Sequence, residues 1–389
     1  MRVVSWCRAG SLLGASAVLS GKHELSIRRS LALAAGSELA AGSESPLSLY
    51  ALSDEDLTTL VTGWGEKAYR AKQIREWVRA GTTEFDEMSN LPLGLRRKLA
   101  ACVAPSALEI ATEQRSRDGT VKRAYRLRDG AVIESVLMPY DDGRRTACIS
   151  SQAGCAMGCV FCATGQMGFR RQLTAGEIYE QAARFAEGDA RLTNVVFMGM
   201  GEPMLNYAAV SESIRRLSDE LGMGSRRITV STVGVVPGIA KLAVDHPGVN
   251  LAISLHAADE AARSALLPAN ARYGGLDVLM KAASDYWRST KRRVTFEWAL
   301  ARGQNDDVAT ARRLGHLLRA HHLAGPASHV NVIPLNPTKG YAGGPAAQRA
   351  VDEFCIVLRR EFGVGATVRT RRGIDIDAGC GQLADSLLP

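Results

Sequence analysis

The stretch GCAMGCVFC, residues 154–162, places Cys155, Cys159 and Cys162 in a C-x3-C-x2-C spacing. Three closely spaced thiolates can bind three irons of a cubane while the fourth iron takes an outside ligand, so this spacing favours one [4Fe-4S] cluster per chain. Phe161 lies between two of the cysteines, where its ring can shield a cluster from water. A structural zinc site completed by a distant fourth ligand is the alternative.

The cysteine stretch follows the first of six short apolar strands, which alternate with amphipathic segments of helical length. These predicted strands lie at 147–150, 195–198, 228–231, 251–255, 294–298 and 330–335. Such alternation predicts a parallel sheet with right-handed crossovers. Six units suit a partial, TIM-like (β/α)6 barrel better than a closed barrel of eight strands. We therefore expect an α/β fold.

The part of the chain before these alternating strands and helices has a different sequence pattern. Ser53 and Asp56 form a capping-box pattern, 69–78 is basic and amphipathic, and Asp129-Gly130 between two apolar runs predicts a hairpin. The predicted segments are a disordered extension (1–46), a small helical accessory domain (47–105), a β-hairpin linker (106–140), and the catalytic core with its carboxyl-terminal segment (141–389).

Composition narrows the class of partner and compartment. A net charge of +8 suits a phosphate-rich partner such as RNA, although it also suits a protein that merely stays soluble. Eight cysteines are too few for a disulfide scaffold in 389 residues, so metal ligation in a reducing compartment, the cytoplasm, is expected. No apolar run of about 18 residues occurs, and no membrane association is expected. Arginine pairs that can contact RNA phosphates occur at 144–145, 170–171, 226–227, 292–293 and 371–372.

Polar residues and glycines follow the predicted strands at their carboxyl ends, where ligand sites of parallel α/β folds gather. The polar residues are Glu202, Ser231, Ser254, His256 and Asn336, and the glycines belong to the turn at 199–203. With a cluster that has an open iron, they indicate a radical S-adenosylmethionine (SAM) enzyme. Glu202 can accept a hydrogen bond from the SAM ammonium, and the others can bind its carboxylate, ribose and adenine. Taken singly, each can instead cap a strand, and His256 can be a core histidine.

Four motifs together resemble the RlmN family of dual-specificity RNA methyltransferases, and the likeness runs from about residue 47 to 383. They are residues 154–162, GMGEP at 199–203, SLHA at 254–257 and DIDAGCGQL at 375–383. The resemblance implies methylation of C2 of adenosine in 23S rRNA, at the peptidyl-transferase centre, and in tRNA beside the anticodon. It also implies an external one-electron reductant, two SAM molecules per turnover and a monomeric enzyme.

The resemblance implies roles for particular residues as well. Cys380 is the cysteine that becomes methylated, Cys148 its disulfide partner, and Glu134 the acceptor of the C2 proton. Cys155, Cys159 and Cys162 are the cluster ligands, and the SAM contacts are Gly201, Glu202, Ser231, Ser254, Leu255, His256 and Asn336. Val233 departs from the family, in which many members have serine.

Two other functions stay open at this stage. A related family methylates C8 of the same ribosomal adenosine, and a metal-stabilised RNA-binding protein would need no Cys380. Without the resemblance, Cys148 is read as a small buried residue on a strand. Cys7, Cys102 and Cys355 have no functional context and are interpreted as structural or incidental.

Overall fold

The computed structural model describes residues 47–186 and 191–384, so the expectation for 1–46 lies outside the described part. The chain divides into two compact units. The first includes 47–78 and Thr82–Ser106, and the second includes Arg79–Gly81 and the chain from Ala107 onward.

The first unit is built from short helices. They are α1 (Asp54–Gly63), α2 (Tyr69–Arg79) and α3 (Leu93–Cys102). The predicted capping box is confirmed: the Ser53 side chain accepts from the Asp56 N–H, and the Asp56 carboxylate accepts from the Ser53 N–H. The basic helix α2 buries one face through Ile74 and Val78, and its buried Arg75 pairs with Asp54 at 2.6 Å.

The second unit contains all the strands of the described part. They are β1 (Leu108–Arg115), β2 (Val121–Leu127), β3 (Val132–Pro139), β4 (Arg145–Cys148), β5 (Gln152–Gly154), β6 (Phe169–Gln172), β7 (Asn194–Phe197), β8 (Ile228–Thr232), β9 (Asn250–Ser254), β10 (Val294–Leu300), β11 (Ser328–Pro334) and β12 (Gly365–Val368). Its helices are α4 (Ala163–Met167), α5 (Ala175–Ala183), α6 (Tyr207–Asp219), α7 (Val236–Asp245), α8 (Glu260–Leu266), α9 (Gly275–Thr290), α10 (Val308–Ala320) and α11 (Gln348–Phe362).

The main sheet has the strand order β1-β2-β3-β4-β7-β8-β9-β10-β11-β12, while β5 and β6 pair separately. Strands β1 to β4 are antiparallel, and β4 and β7 to β12 pair in parallel. Val294, Phe296, Trp298 and Leu300, on one face of β10, are fully buried, and Trp298 packs against Phe354 of α11 with ring centroids 5.7 Å apart. Glu297, on the opposite face, is buried as well. Burial on both faces is typical of parallel strands covered by helices.

The six predicted strands are confirmed as β4, β7, β8, β9, β10 and β11, and the predicted hairpin as β2 and β3. The parallel part of the sheet has a further strand, β12, which the alternation of apolar and amphipathic segments in the sequence did not predict. β12 has four residues, Val368 is exposed, and such a short edge strand lacks the apolar run that marks its neighbours. Among the described residues, no helix combines the length and apolar character needed to cross a membrane.

Candidate active site

One cavity lies at the carboxyl ends of the parallel strands and collects most of the residues singled out in the sequence. It is lined by Cys155, Cys159, Cys162, Gly201, Glu202, Ser231, Ser254, His256, Asn336 and Cys380, among others. Leu255 does not line it, because its side chain is fully buried in the core. Glu134 and Cys148 also lie outside it, but Cys148 lines an adjoining cavity that shares Cys380 with the first.

The loop that carries the cysteines is folded tightly on itself. Gly154 has φ +73°, and a Cβ there would stand 2.0 Å from the Gly168 carbonyl oxygen. The same oxygen accepts the Cys155 N–H at 2.8 Å. A Cβ on Gly165 would meet the Cys159 backbone at 2.9 Å. These glycines therefore permit a backbone approach that a side chain would block.

Burial sets the protonation of the three thiols. Desolvation raises the pKa of Cys155 to about 12, and that of Cys159 well above its ordinary value. Burial also raises the pKa of Cys162. Without a cation all three are thiols near neutral pH, and bound iron ions would reverse this by stabilising thiolates.

The donor set fits a cluster better than a single ion. The three sulfurs line one cavity in a loop closed by glycines, and no described group of three or more His, Cys, Asp or Glu side chains is arranged to hold one metal ion. In a cubane each thiolate binds a different iron, so the cysteines need not converge on one point. The residues present therefore fit a [4Fe-4S] cluster.

Glu202 is a buried carboxylate in the wall of this cavity. It accepts hydrogen bonds from the Val233 N–H at 2.9 Å and the Met204 N–H at 3.0 Å. Burial raises its pKa to about 7. An ammonium group bound beside it would stabilise its ionised form. The turn before it is close-packed, since a Cβ on Gly201 would stand 2.5 Å from Gln152.

The His256 ring forms a hydrogen bond with the backbone and also lines the cavity. Its Nδ1 accepts the Ala299 N–H at 2.9 Å, which leaves the Nε2–H of the neutral ring as a donor. Burial, helped by Arg263, lowers its pKa to about 3. Its ring meets Phe161 edge-on at 4.8 Å, and its φ of +59° is unusual for a residue other than glycine. The core and site interpretations of His256 are thus compatible.

Arg263 is a structural element of the site that the sequence did not reveal. Its guanidinium is buried and donates to the carbonyls of Val233 and Ser254, which follow β8 and end β9, and to Asn270. It therefore ties the ends of two neighbouring strands together beneath the cavity. In the sequence it is one arginine on a short helix, a pattern typical of a solvated face.

The segment that carries Cys380 is anchored to the cysteine loop and to the strand ends. Asn336 Nδ2 donates to the Cys380 carbonyl at 3.1 Å, and Thr164 Oγ1 donates to the Leu383 carbonyl at 2.5 Å. The Ala163 N–H donates to the Gly381 carbonyl at 2.7 Å. Asn336 thus contacts the Cys380 segment directly, in addition to lining the cavity.

Several arginines of the predicted RNA-contacting pairs make contacts within the chain, and two of these contacts lie close to the site. Arg371 Nε donates to Asn336 Oδ1 at 3.1 Å, and Arg171 forms ion pairs with Asp129 and Glu177 at 2.5 and 2.8 Å. These contacts position the site's own loops.

Cys148 and Cys380 meet at the adjoining cavity, and both are free thiols. Burial, with the nearby Cys380, raises the pKa of Cys148 to about 12. Arg369 lines both cavities and lies 3.7 Å from the buried carboxylate of Glu297, with its own pKa raised by Cys380 and Glu297. The sequence did not predict a role for Arg369 or Glu297, because neither residue belongs to a recognisable motif.

Glu134 lies on β3, buried at 1% exposure, and pairs with Lys122 of β2 at 3.6 Å. Its Oε2 accepts the Ala384 N–H at 3.1 Å. The carboxylate therefore contacts the end of the segment that carries Cys380.

Two family models match this chain. One describes the Radical SAM superfamily and matches residues 149–314. The other describes a Ribosomal RNA large subunit methyltransferase N-terminal domain and matches residues 47–104.

Individual proteins match over most of the chain. The Dual-specificity RNA methyltransferase RlmN 1 of Myxococcus xanthus is 49% identical over 351 residues, covering 87% of this chain and 95% of that protein. The Probable dual-specificity RNA methyltransferase RlmN 2 of Opitutus terrae is 45% identical, covering 87% of each. The crystal structure of a radical SAM methyltransferase from Sphaerobacter thermophilus superposes with a TM-score of 0.81 at 45% identity, covering 87% of this chain and 99% of that one.

Proposed function

This chain belongs to the RlmN family of dual-specificity RNA methyltransferases in the radical SAM superfamily, and from this membership we propose that it methylates C2 of adenosine in 23S rRNA and tRNA. The observation that carries the proposal is the placement of Cys380. It lines the cavity of Cys155, Cys159 and Cys162, and it also lines the adjoining cavity with Cys148.

The first cavity would hold the cofactors. Cys155, Cys159 and Cys162 would bind the [4Fe-4S] cluster, and Glu202 would accept hydrogen bonds from the SAM ammonium. The remaining SAM contacts would come from Gly201, Ser231, Ser254, Leu255, His256 and Asn336, with Leu255 able to contribute only its backbone. When bound, cluster and SAM supply the methyl group and the one-electron chemistry that an electron-poor, non-acidic C2–H position requires.

The protein's own groups would carry the methyl group and the proton. The Cys380 thiolate takes a methyl group by displacement, and the methyl carbon, once activated, forms its bond to C2. Glu134 accepts the C2 proton. The adduct would return one electron to the bound cluster. The Cys148 thiolate then attacks the Cys380 sulfur and the sulfur–carbon bond breaks. Its electron pair stays on the released carbon, which takes a proton to become the methyl group, and a Cys148–Cys380 disulfide remains. An external reductant restores the two thiols.

The substrate adenosine must reach Cys380 unstacked, because the new bond to C2 forms from the face of the ring, which neighbouring bases cover in a duplex. Arginines near the cavities can hold RNA phosphates, and such contacts position RNA without reading its sequence. We propose that the enzyme works as a monomer in the cytoplasm.

Nucleoside analysis of rRNA and tRNA tests the proposal. The reconstituted enzyme, with SAM and a reductant, should form 2-methyladenosine in both RNAs, and Cys380→Ala should form none. Cys355→Ala is the matched control, because Cys355 is buried on α11 away from both cavities and should leave product formation intact. 8-Methyladenosine in place of 2-methyladenosine, or unchanged product with Cys380→Ala, would refute the proposal.

A further inference from the structure

We propose that Lys122 is a positioning residue for the proton transfer, and that with Glu134 it holds both ends of the segment carrying Cys380. The inference rests on the proposed role of Glu134 as proton acceptor. Its evidence is the strand register, the buried ion pair and two contacts to the carboxyl-terminal segment.

Strand register places the relevant side chains on one face of the sheet. Lys122 of β2 pairs with Val136 of β3, which in turn pairs with Cys148 of β4. Glu134 lies two residues before Val136 on the same strand. Directly paired residues project from the same face, as do residues two apart in one strand. Lys122, Glu134 and Cys148 therefore share a face.

The pair is buried as well as close. Lys122 Nζ lies 3.6 Å from Glu134 Oε1, with the side chains 7% and 1% exposed. A carboxylate removed from water needs an opposite charge or hydrogen bonds to stay ionised. Only an ionised carboxylate can accept a proton. The ammonium of Lys122 therefore both orients Glu134 and favours the form that proton transfer requires.

Lys122 and Glu134 also contact the two ends of the Cys380 segment. Lys122 Nζ donates to the Asp377 carbonyl at 3.4 Å, and the Ala384 N–H donates to Glu134 Oε2 at 3.1 Å. Cys380 lies between these two contacts in the chain. One ion pair thus fixes the proton acceptor relative to the cysteine that bears the RNA adduct.

The chemical step assigned to the pair is simple. The C2–H bond of the adduct breaks, its electron pair stays in the ring, and the proton bonds to a Glu134 oxygen. Lys122 forms and breaks no bond in this step. Replacing Lys122 should therefore slow the decay of the adduct more than it slows the formation of the adduct.

The test follows the covalent RNA–Cys380 adduct over time in Lys122→Met, Lys122→Arg and a matched control. Arg126→Met is that control, because Arg126 is a cation on the same strand and face but exposed. In Lys122→Met we expect adduct decay to slow at least 10-fold, since a general base contributes roughly 10²–10⁴-fold. Adduct formation should change by less than about 3-fold, on the same reasoning. Lys122→Arg should restore most of the decay rate, and Arg126→Met should match wild type.

A second pair of measurements separates positioning from a general loss of structure. The double variant Lys122→Met with Glu134→Gln removes both buried charges. Its RNA–Cys380 adduct should decay no more slowly than the adduct of Glu134→Gln alone. Hydrogen exchange of residues 377–384 should accelerate in Lys122→Met but not in Arg126→Met. Wild-type adduct decay in Lys122→Met, a slower double variant, or unchanged exchange would overturn the inference. Absence of 2-methyladenosine with wild type would instead refute the proposed function, and exchange would still test the contacts of Lys122.

Discussion

Replacing Gly154 by alanine tests how the cysteine loop is built. The residue has φ +73°, and the new Cβ would stand 2.0 Å from the Gly168 carbonyl oxygen and 3.3 Å from the Phe169 Cα. The nearest contact is backbone, which cannot rotate away as a side chain can. The loop must therefore open, and the hydrogen bond from the Cys155 N–H to that oxygen, 2.8 Å long, is lost.

Gly158 provides a matched control for the cost of backbone conformation alone. It has φ +66°, but a Cβ there meets nothing within 4 Å. Gly158→Ala should cost about 1 kcal/mol for left-handed backbone. Gly154→Ala should lower the free energy of unfolding by the same amount, and by about 2 kcal/mol more because of the steric overlap and the lost hydrogen bond.

Urea unfolding of the cluster-free protein measures both costs, and iron and sulfide content after reconstitution measures cluster retention. We expect Gly154→Ala to be less stable than Gly158→Ala by about 2 kcal/mol and to bind substantially less iron, because Cys155 is the next residue. Equal stability of the two variants, with equal iron content, would refute the steric reasoning.

Three further predictions concern other parts of the site. Cys148→Ala should trap RNA on Cys380 as a denaturation-resistant band on gels, and an active variant without that band would exclude its release role. Arg263→Met should lower the free energy of unfolding by about 3 kcal/mol, because the Val233 and Ser254 carbonyls lose their donor; exposed Arg272→Met should not. The folded-state pKa of His256 is about 3, below the ordinary 6.5, so below about pH 6.5 the unfolded chain binds a proton that the folded protein does not. The free energy of unfolding therefore decreases as the pH falls below about 6.5. Relative to His256→Gln, wild type should lose up to ~1.4 kcal/mol per pH unit in urea titrations, and parallel pH profiles would contradict this.

Local patterns predicted much of this protein correctly. The cysteine spacing, the Gly199–Pro203 turn and the six strands are read from residues near one another in the chain. The periodicity of apolar residues reports directly on which faces are buried. Parallel pairing then places strand ends at one edge, and this is why Glu202, Ser231 and His256 share a cavity as expected.

Leu255 shows the limit of motif-based assignment. Ser254 and His256 on either side of it line the cavity, yet its own side chain is fully buried in the core. The chain has left β9 at this point and His256 has a φ of +59°, so membership of a short motif does not decide which side chains face the cavity.

By itself, the sequence determined the fold class, the cluster motif and the family resemblance, since each depends on spacing within short stretches. Only the tertiary structure brought Cys148 beside Cys380, placed Lys122 against Glu134, and put Arg369 between two cavities. The physical reason is that these contacts depend on strand register and on the path of the carboxyl-terminal segment. A one-residue change of register would turn Lys122 to the other face. The Asp129-Gly130 signal marks the hairpin but does not distinguish the loop lengths that set its register.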